Sequence, residues 1–150
     1  MEADVDAQTI YLVRHAEKTK EDNPGLTEAG KARAEALADR LEDKNITHIH
    51  STKYRRTLAT AQPLSERLGI EVALYDPRNL EGFSIDLKDI GSGNHLVVGH
   101  SNTTPELTSM LTWDDVEAMP ETEYDRLLTV YLDEKGDTIK WTTERYGATK

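Results

Sequence analysis

Basic and imidazole side chains follow apolar or β-rich runs at three places in the sequence. Arg14 and His15 come directly after the apolar run 10–13, and His100 follows a similar run. The third place is the segment 51–56, which ends in two arginines. One guanidinium group can donate hydrogen bonds to two phosphate oxygens at once. A neutral imidazole can attack phosphorus and hold the phosphoryl group covalently. If the three places meet in the fold, the sequence predicts a site for phosphoryl chemistry.

The arginine charges would tune the first histidine. Adjacent guanidinium groups disfavour a second cation, so they would lower the pKa of His15 and keep its neutral, nucleophilic form near neutral pH. The same charges would stabilise the equatorial oxygens of a phosphoryl group in the transition state. A helix predicted to begin at Thr104 and Pro105 would direct its first N–H groups towards the same region, which also attracts anions.

The chain pattern predicts a scaffold that could bring these residues together. Short β-rich runs alternate with helical segments over the first two thirds of the chain, at 9–13, 46–50, 71–75 and 95–98. This alternation predicts an α/β fold with three layers, in which helices cover both faces of a mostly parallel sheet. Ligands of such sheets bind beyond the carboxyl ends of the strands, where the candidate residues lie.

The remaining elements follow from capping and turn signals. The predicted helices run from the N-cap Thr27 to about 43, from Ser51 or Thr52 to Leu68 before Gly69, from about Ser84, and from Thr104 to Leu111. Two final strands, 124–132 and 138–144, flank a turn and predict an antiparallel strand at one edge of the sheet. No linker interrupts the pattern, so residues 1–150 are predicted to form a single domain with a flexible start at 1–8.

Composition excludes several classes of protein. The chain has 150 residues, a formal net charge of −10 and no cysteine. The acidic balance argues against a non-specific nucleic-acid or anionic-membrane binder, and the lack of cysteine excludes disulfide scaffolds and thiolate metal sites. The acidic N-terminus lacks a signal-peptide pattern. A cytoplasmic location and export after removal of a leader both stay open, as does the oligomeric state.

Four sequence blocks together carry a family resemblance. They are Tyr-Leu-Val-Arg-His-Ala-Glu-Lys at 11–18, Leu-Thr-Glu-Ala-Gly-Lys-Ala-Arg-Ala at 26–34, the arginine block at 51–61, and Val-Gly-His-Ser-Asn-Thr at 98–103. In this order they resemble the motifs of the histidine phosphatase superfamily, which includes phosphoglycerate-mutase-like proteins. The resemblance extends over about 9–111. One departure is Ala16, which stands where the family usually has glycine and requires a negative φ there.

The resemblance implies a role for each matching residue. His15 would be the phosphorylated nucleophile, and Arg14, Arg56 and His100 would hold the phosphoryl group. Arg56 is preferred over Arg55 because the family's arginine lies five residues after the position of Ser51. Successive helical side chains point about 100° apart, so both arginines would not reach one phosphate. The family needs no metal or other cofactor.

The proton donor for the leaving group is predicted to be Glu81. The resemblance places a carboxylic acid between the arginine helix and the strand before His100, and Glu81 lies in that stretch. Some small members that dephosphorylate phosphohistidine lack this acid, because histidine is already a good leaving group. The substrate is therefore expected to be a phosphorylated small molecule or a phosphohistidine protein. The short chain lacks the insertions of mutases, which favours a phosphatase.

Three other interpretations account for parts of the sequence. A non-catalytic module that binds phosphorylated ligands would keep the same fold and the same site. Ser101 in Gly-His-Ser-Asn-Thr is close to the nucleophile elbow of α/β-hydrolases, but the final glycine is absent and no histidine follows His100. His48 and His50 share a strand face and could bind a metal, although ordinary hydrogen bonding near the surface is favoured. His95, beside a glycine turn, is predicted to be exposed.

Overall fold

The computed structural model describes residues 6–148, so residues 1–5 of the predicted flexible start lie outside the described part. The strands are β1 (Gln8–Arg14), β2 (His48–Ser51), β3 (Val72–Leu74), β4 (Gly93–Gly99), β5 (Arg126–Leu132) and β6 (Thr138–Arg145). The helices are α1 (Glu28–Leu41), α2 (Arg55–Leu68), α3 (Leu80–Ile90) and α4 (Thr103–Thr112). Gln8 belongs to β1 and is 2% exposed, so the ordered sheet begins inside the segment predicted to be flexible.

The six strands form one sheet in the order β3-β2-β4-β1-β5-β6. The first four in that order are parallel, whereas β5 runs antiparallel to both β1 and β6. The predicted α/β class and the antiparallel edge hairpin are therefore confirmed. Over residues 6–148, every helix is too short or too polar to cross a lipid bilayer.

Helices cover both faces of the sheet, which gives the predicted three layers. On one face Ile10 and Leu12 of β1 pack in a buried cluster with Leu107 of α4 and with residues of α3. On the other face Val13 packs with Leu37 of α1 and with residues of α2. Each fully buried side chain of this size stabilises the fold by about 1.5–3 kcal/mol. Burial on both faces explains why the central strands show no polar alternation.

Two predicted helix boundaries are confirmed by their caps. The Thr27 hydroxyl accepts a hydrogen bond from the Gly30 N–H at 3.0 Å, and α1 begins one residue after this N-cap. Gly69 ends α2 in the left-handed region, with φ of 68°, and its N–H donates to the Ser65 carbonyl. Glycine adopts this conformation without the steric cost that a Cβ brings.

Three other helix starts differ from the prediction. The N-cap of α2 is Tyr54, because Ser51 ends β2 and donates its hydroxyl to the Thr52 carbonyl, while the Thr52 hydroxyl bonds to Thr57 and His100. Helix α3 begins four residues before Ser84, capped by the Asn79 side chain, which accepts from the Gly82 N–H at 3.1 Å. The N-cap of α4 is Asn102, so Pro105 lies inside the first turn.

Helix α1 fixes the loop that follows β1. A Cβ on Gly30 would lie only 2.2 Å from the Glu17 carbonyl oxygen, so only glycine permits this approach. Nearby, the Arg33 guanidinium donates to both carboxylate oxygens of Glu17 at 2.9 Å. The backbone just after the Arg14-His15 pair is thus held on two sides.

The three remaining histidines form a stack between β2 and β4. His95 is fully buried, so its predicted exposure is wrong; its ring lies 4.4 Å from the His48 ring and 5.2 Å from the His50 ring, centroid to centroid. His95 Nε2–H donates to the Ser92 carbonyl at 2.9 Å, so its Nδ1 accepts from His50 Nε2–H at 3.0 Å. Within 6–148 neither this stack nor any other group of three or more potential ligand side chains is arranged to hold a metal ion.

Acid should destabilise the protein through this stack. Burial, followed by the charges of His95 and His48, lowers the pKa of His50 to about 3. The unfolded chain binds a proton at a pKa near 6.5, so this contribution to stability is present above pH 6.5 and is lost as pH falls towards 3. Between pH 7 and 5 the loss from one such histidine is about 2 kcal/mol.

The measurement is the free energy of unfolding at pH 7 and pH 5, by denaturant titration of the wild type and of His50→Gln. The glutamine keeps an N–H donor for His95 but does not titrate. The wild type should lose about 2 kcal/mol more than the variant over this interval. Equal losses in the two proteins would contradict the assignment of the acid sensitivity to His50.

Candidate active site

The fold brings four of the predicted residues into one cavity. Arg14, His15, Arg56 and His100 line a space of about 380 Å³ at the carboxyl ends of the strands. Strands β1 and β4 are neighbours, with Arg14 paired to Gly99, and the His15 N–H donates to the Gly99 carbonyl at 2.9 Å. This register sets the two imidazole rings 5.8 Å apart, centroid to centroid.

Local hydrogen bonds orient the His15 ring. Its Nδ1 lies 2.8 Å from the Ala16 carbonyl oxygen, which accepts only, so Nδ1 carries the proton and Nε2 keeps its lone pair. The Ala16 N–H donates to the Thr60 hydroxyl of α2 at 2.8 Å, which ties this backbone to the arginine helix. The φ of Ala16 is not positive, so alanine can stand where the family usually has glycine. His15 Nε2 therefore presents its lone pair to the cavity, beside Arg14 Nη2 at 3.5 Å.

Both histidines of the cavity are held neutral. Burial lowers the pKa of His15 to about 3; the bond to Ala16 opposes this shift, and the charges of Arg14, Arg56 and His100 reinforce it. The pKa of His100 falls to about 4 for the same main reason, with further lowering by the two arginines. The predicted direction for His15 agrees with the structure, but burial rather than charge is the largest cause.

Arg14 is anchored to a segment that the sequence did not connect with it. Its Nη1 donates to the carbonyl oxygens of Glu121 at 2.9 Å and Glu123 at 3.0 Å, and its guanidinium lies 4.1 Å from the centre of the Tyr124 ring. Its Nη2 lies 3.5 Å from His15 Nε2, and its buried Nε has no partner. The group is therefore fixed on one side and keeps donors for a ligand on the other.

Arg56 points into the cavity and Arg55 points away from it. The Arg56 Nε is buried without a partner, and its guanidinium lies 4.7 Å from the Tyr54 ring centre. Arg55 is 62% exposed, with Glu21 at 3.9 Å, and lines a different cavity. The preference for Arg56 thus agrees with the geometry. Each cavity arginine thus has a buried Nε–H without a protein partner, and guanidinium donors of this kind suit the oxygens of an anion.

His100 is positioned by the turn after β2. Its Nε2 lies 3.0 Å from the Thr52 hydroxyl, which in turn lies 2.9 Å from the Thr57 hydroxyl of α2. The Tyr54 ring meets the imidazole edge-on at 5.1 Å. The helix that carries Arg56 therefore also supports the second histidine.

The structure places Glu81 away from the other four residues. It lies exposed in the first turn of α3 and lines a separate cavity with Ile85, Lys88 and Trp113. Helix α3 turns Leu80, Phe83 and Leu87 towards the core, and the position after Leu80 falls on another face. The prediction that Glu81 donates the proton therefore has no geometric support.

Three other residues that line the cavity of His15 were not singled out by the sequence, namely Lys18, Arg78 and Glu121. Ser101, which the sequence offered only as a hydrolase-like serine, lines the same cavity. Glu121 is the only carboxylate in that lining over the described range 6–148. Three of these positions lie in loops without periodic pattern, so no local signal marked them.

A buried arginine of β5 holds the segment that anchors Arg14. Arg126 is 5% exposed and donates to the carbonyl of Glu117 at 2.6 Å and to that of Ala118 at 3.2 Å. It also binds both carboxylate oxygens of Glu123, at 2.7 and 2.9 Å. The segment 117–124 is therefore fastened to the sheet on one side and to Arg14 on the other.

Comparison of the sequence with known families gives a consistent result. Residues 10–78 match the model of the histidine phosphatase superfamily (branch 1). A protein described as probable phosphoglycerate mutase GpmB, from Serratia proteamaculans, is 37% identical over 78 residues. That alignment covers 46% of this chain and 35% of the relative. The corresponding protein of Photorhabdus laumondii is 36% identical with the same coverage, so the match spans about a third of these relatives.

Solved structures match nearly the whole chain. The protein histidine phosphatase SixA, in complex with tungstate, superposes with a TM-score of 0.71 at 18% identity, covering 92% of this chain and 95% of that one. A mycobacterial glucosyl-3-phosphoglycerate phosphatase gives 0.71 at 15% identity, with 95% and 100% coverage. YhfR of Bacillus stearothermophilus gives 0.73 at 17% identity, with 88% and 94% coverage. At these identities the likeness concerns the fold.

Proposed function

We propose that this chain is a phosphatase of the histidine phosphatase superfamily, whose model matches residues 10–78, and that it passes a phosphoryl group through a covalent intermediate on His15. One observation carries the proposal. The His15 Nε2 lone pair lies in a cavity shared with two arginines and a second neutral histidine. This set supplies a nucleophile and cationic donors for phosphoryl oxygens without a metal.

The reaction proceeds in two displacements. The His15 Nε2 lone pair forms a bond to phosphorus while the bond from phosphorus to the leaving group breaks. Water then attacks the phosphohistidine, the P–N bond breaks, and inorganic phosphate leaves with His15 neutral again. The donors of Arg14 and Arg56 are already in place, so they stabilise the oxygens in both steps without reorganisation.

Two substrate classes fit the cavity chemistry. The similar structures include a protein histidine phosphatase and a glucosyl-3-phosphoglycerate phosphatase. Neither leaving group, an imidazole or an alcohol hydroxyl, requires a metal when the phosphoryl oxygens are held by guanidinium groups. We therefore propose a phosphorylated small molecule or a phosphohistidine protein as substrate.

Steady-state hydrolysis of p-nitrophenyl phosphate in the presence of a metal chelator tests the proposal. The wild type should release p-nitrophenol at a rate that the chelator leaves unchanged. A non-catalytic binding module would bind inorganic phosphate but show no turnover, either in the wild type or in His15→Ala. Loss of activity on chelation would contradict the metal-independent mechanism instead.

A further inference from the structure

We infer that Glu121 is the proton donor and acceptor of this site, an inference that rests on the phosphatase reaction proposed above. Expulsion of a hydroxyl leaving group from phosphorus requires a proton at its oxygen, and a carboxyl group within reach supplies it best. Glu81 lies in another cavity, whereas Glu121 lines the cavity of His15. The inference assigns the role to a residue of the loop between α4 and β5.

The main chain and the side chain of Glu121 both lie close to Arg14. The Glu121 carbonyl oxygen accepts from Arg14 Nη1 at 2.9 Å. Burial lowers the pKa of Arg14, and the charges of Tyr124 and Glu121 act in the opposite direction. The Glu121 carboxylate thus acts on the guanidinium that lies beside His15 Nε2. Both Glu121 and His15 line the cavity that would take the phosphoryl group.

The Glu121 carboxylate is also not engaged by another described side chain, in contrast to that of Glu123. Glu123, two residues later, binds Arg126 and Arg145 at 2.6–2.9 Å and is committed to holding the loop. By contrast, no ion pair or side-chain hydrogen bond engages the Glu121 carboxylate among residues 6–148. A carboxyl group that must exchange protons with a substrate and with water needs this freedom.

The loop nevertheless holds Glu121 at a fixed place. Arg126 binds the carbonyls of Glu117 and Ala118 on one side of it, and Arg14 binds the carbonyl of Glu121 itself. Met119, between these anchors, is buried in the core with 7% exposure. The backbone is therefore preorganised, and only the side-chain torsions of Glu121 stay free.

The proton balance closes over the two displacements. In the first, the bond from phosphorus to the leaving oxygen breaks and that oxygen takes the proton of the Glu121 carboxyl group. In the second, the Glu121 carboxylate takes a proton from water while the water oxygen bonds to phosphorus and the P–N bond to His15 breaks.

A series of leaving groups tests the inference. The value of kcat/KM is measured for the wild type and Glu121→Gln on an alkyl phosphate, phenyl phosphate, p-nitrophenyl phosphate and phosphoramidate. We expect Glu121→Gln to be about 100-fold slower on the alkyl phosphate and within about threefold of the wild type on p-nitrophenyl phosphate. The variant should also lose the decline of alkyl phosphate hydrolysis at high pH, which a merely structural role would leave in place.

Glu117→Gln is the matched control, because it removes the same charge from the same segment but lies outside the cavity lining. Its kcat/KM should equal that of the wild type on every substrate. A uniform loss in Glu121→Gln across the series, or no loss at all, would overturn the inference, as would a selective loss in Glu81→Gln. Failure of the wild type to hydrolyse p-nitrophenyl phosphate would instead reject the phosphatase proposal. The two failures are therefore distinguishable.

Discussion

Replacement of His15 by alanine should lower the rate of phosphomonoester hydrolysis by on the order of 10⁴-fold or more, as expected for loss of a covalent nucleophile. The same variant should fail to retain label from a ³²P-phosphorylated substrate. The physical reason is that Nε2 of His15 is the lone pair held in the cavity, with Nδ1 occupied by the Ala16 carbonyl at 2.8 Å. Rapid denaturing quench at alkaline pH, followed by peptide mapping, locates the label on His15 in the wild type.

His48→Ala is the control for this experiment, because His48 lies in the histidine stack between β2 and β4, outside the active-site cavity. It should keep both the label and the turnover. Titration of His15→Ala with vanadate shows whether Arg14, Arg56 and His100 still bind an oxyanion in this variant. Label that persists in His15→Ala, or that maps to another histidine, would refute the assignment of the nucleophile.

Four residues that line the cavity could be predicted from the sequence, most of them for a simple geometric reason. Arg14, His15 and His100 directly follow or end buried strands, and strand ends in a parallel sheet meet at one edge. The side chain that follows such a strand enters the cleft whatever the rest of the chain does. Arg56 followed from the resemblance and from the period of the helix, which separates it from Arg55.

Other features depend on contacts that have no local signal. Arg14 is anchored by main-chain carbonyls of the segment 120–123, and any residue type presents a carbonyl. The burial of His95 arises because β4 is central in the sheet and two further histidines cover its ring. Glu81 was predicted from its place in the sequence between α2 and β4, but α3 puts its side chain at a separate cavity.

The same distinction between local sequence signals and tertiary contacts explains why the sequence did not identify Glu121, the proton donor that we infer. A family pattern places a carboxyl group by its position in the sequence, whereas the chemistry requires only that some carboxyl group reach the leaving oxygen. In this fold the loop before β5, clamped by Arg126, supplies Glu121 at the cavity that Arg14 and His15 form. The proposed nucleophile, His15, could be predicted from its place at a strand end. The inferred acid, Glu121, depends on a tertiary contact.

Arg56→Ala should lower kcat/KM for p-nitrophenyl phosphate by about 10²–10³-fold, while Arg55→Ala should stay within about threefold of the wild type. The Arg56 guanidinium lies in the cavity with a buried Nε that lacks a protein partner, whereas Arg55 is 62% exposed beside Glu21. The two variants remove the same charge from adjacent positions, so a general electrostatic effect of the helix would slow both equally. Arg56→Lys keeps the charge but not the fork and should recover only part of the loss. The reverse ranking of the two alanine variants would mean that α2 presents the other arginine to the phosphoryl group.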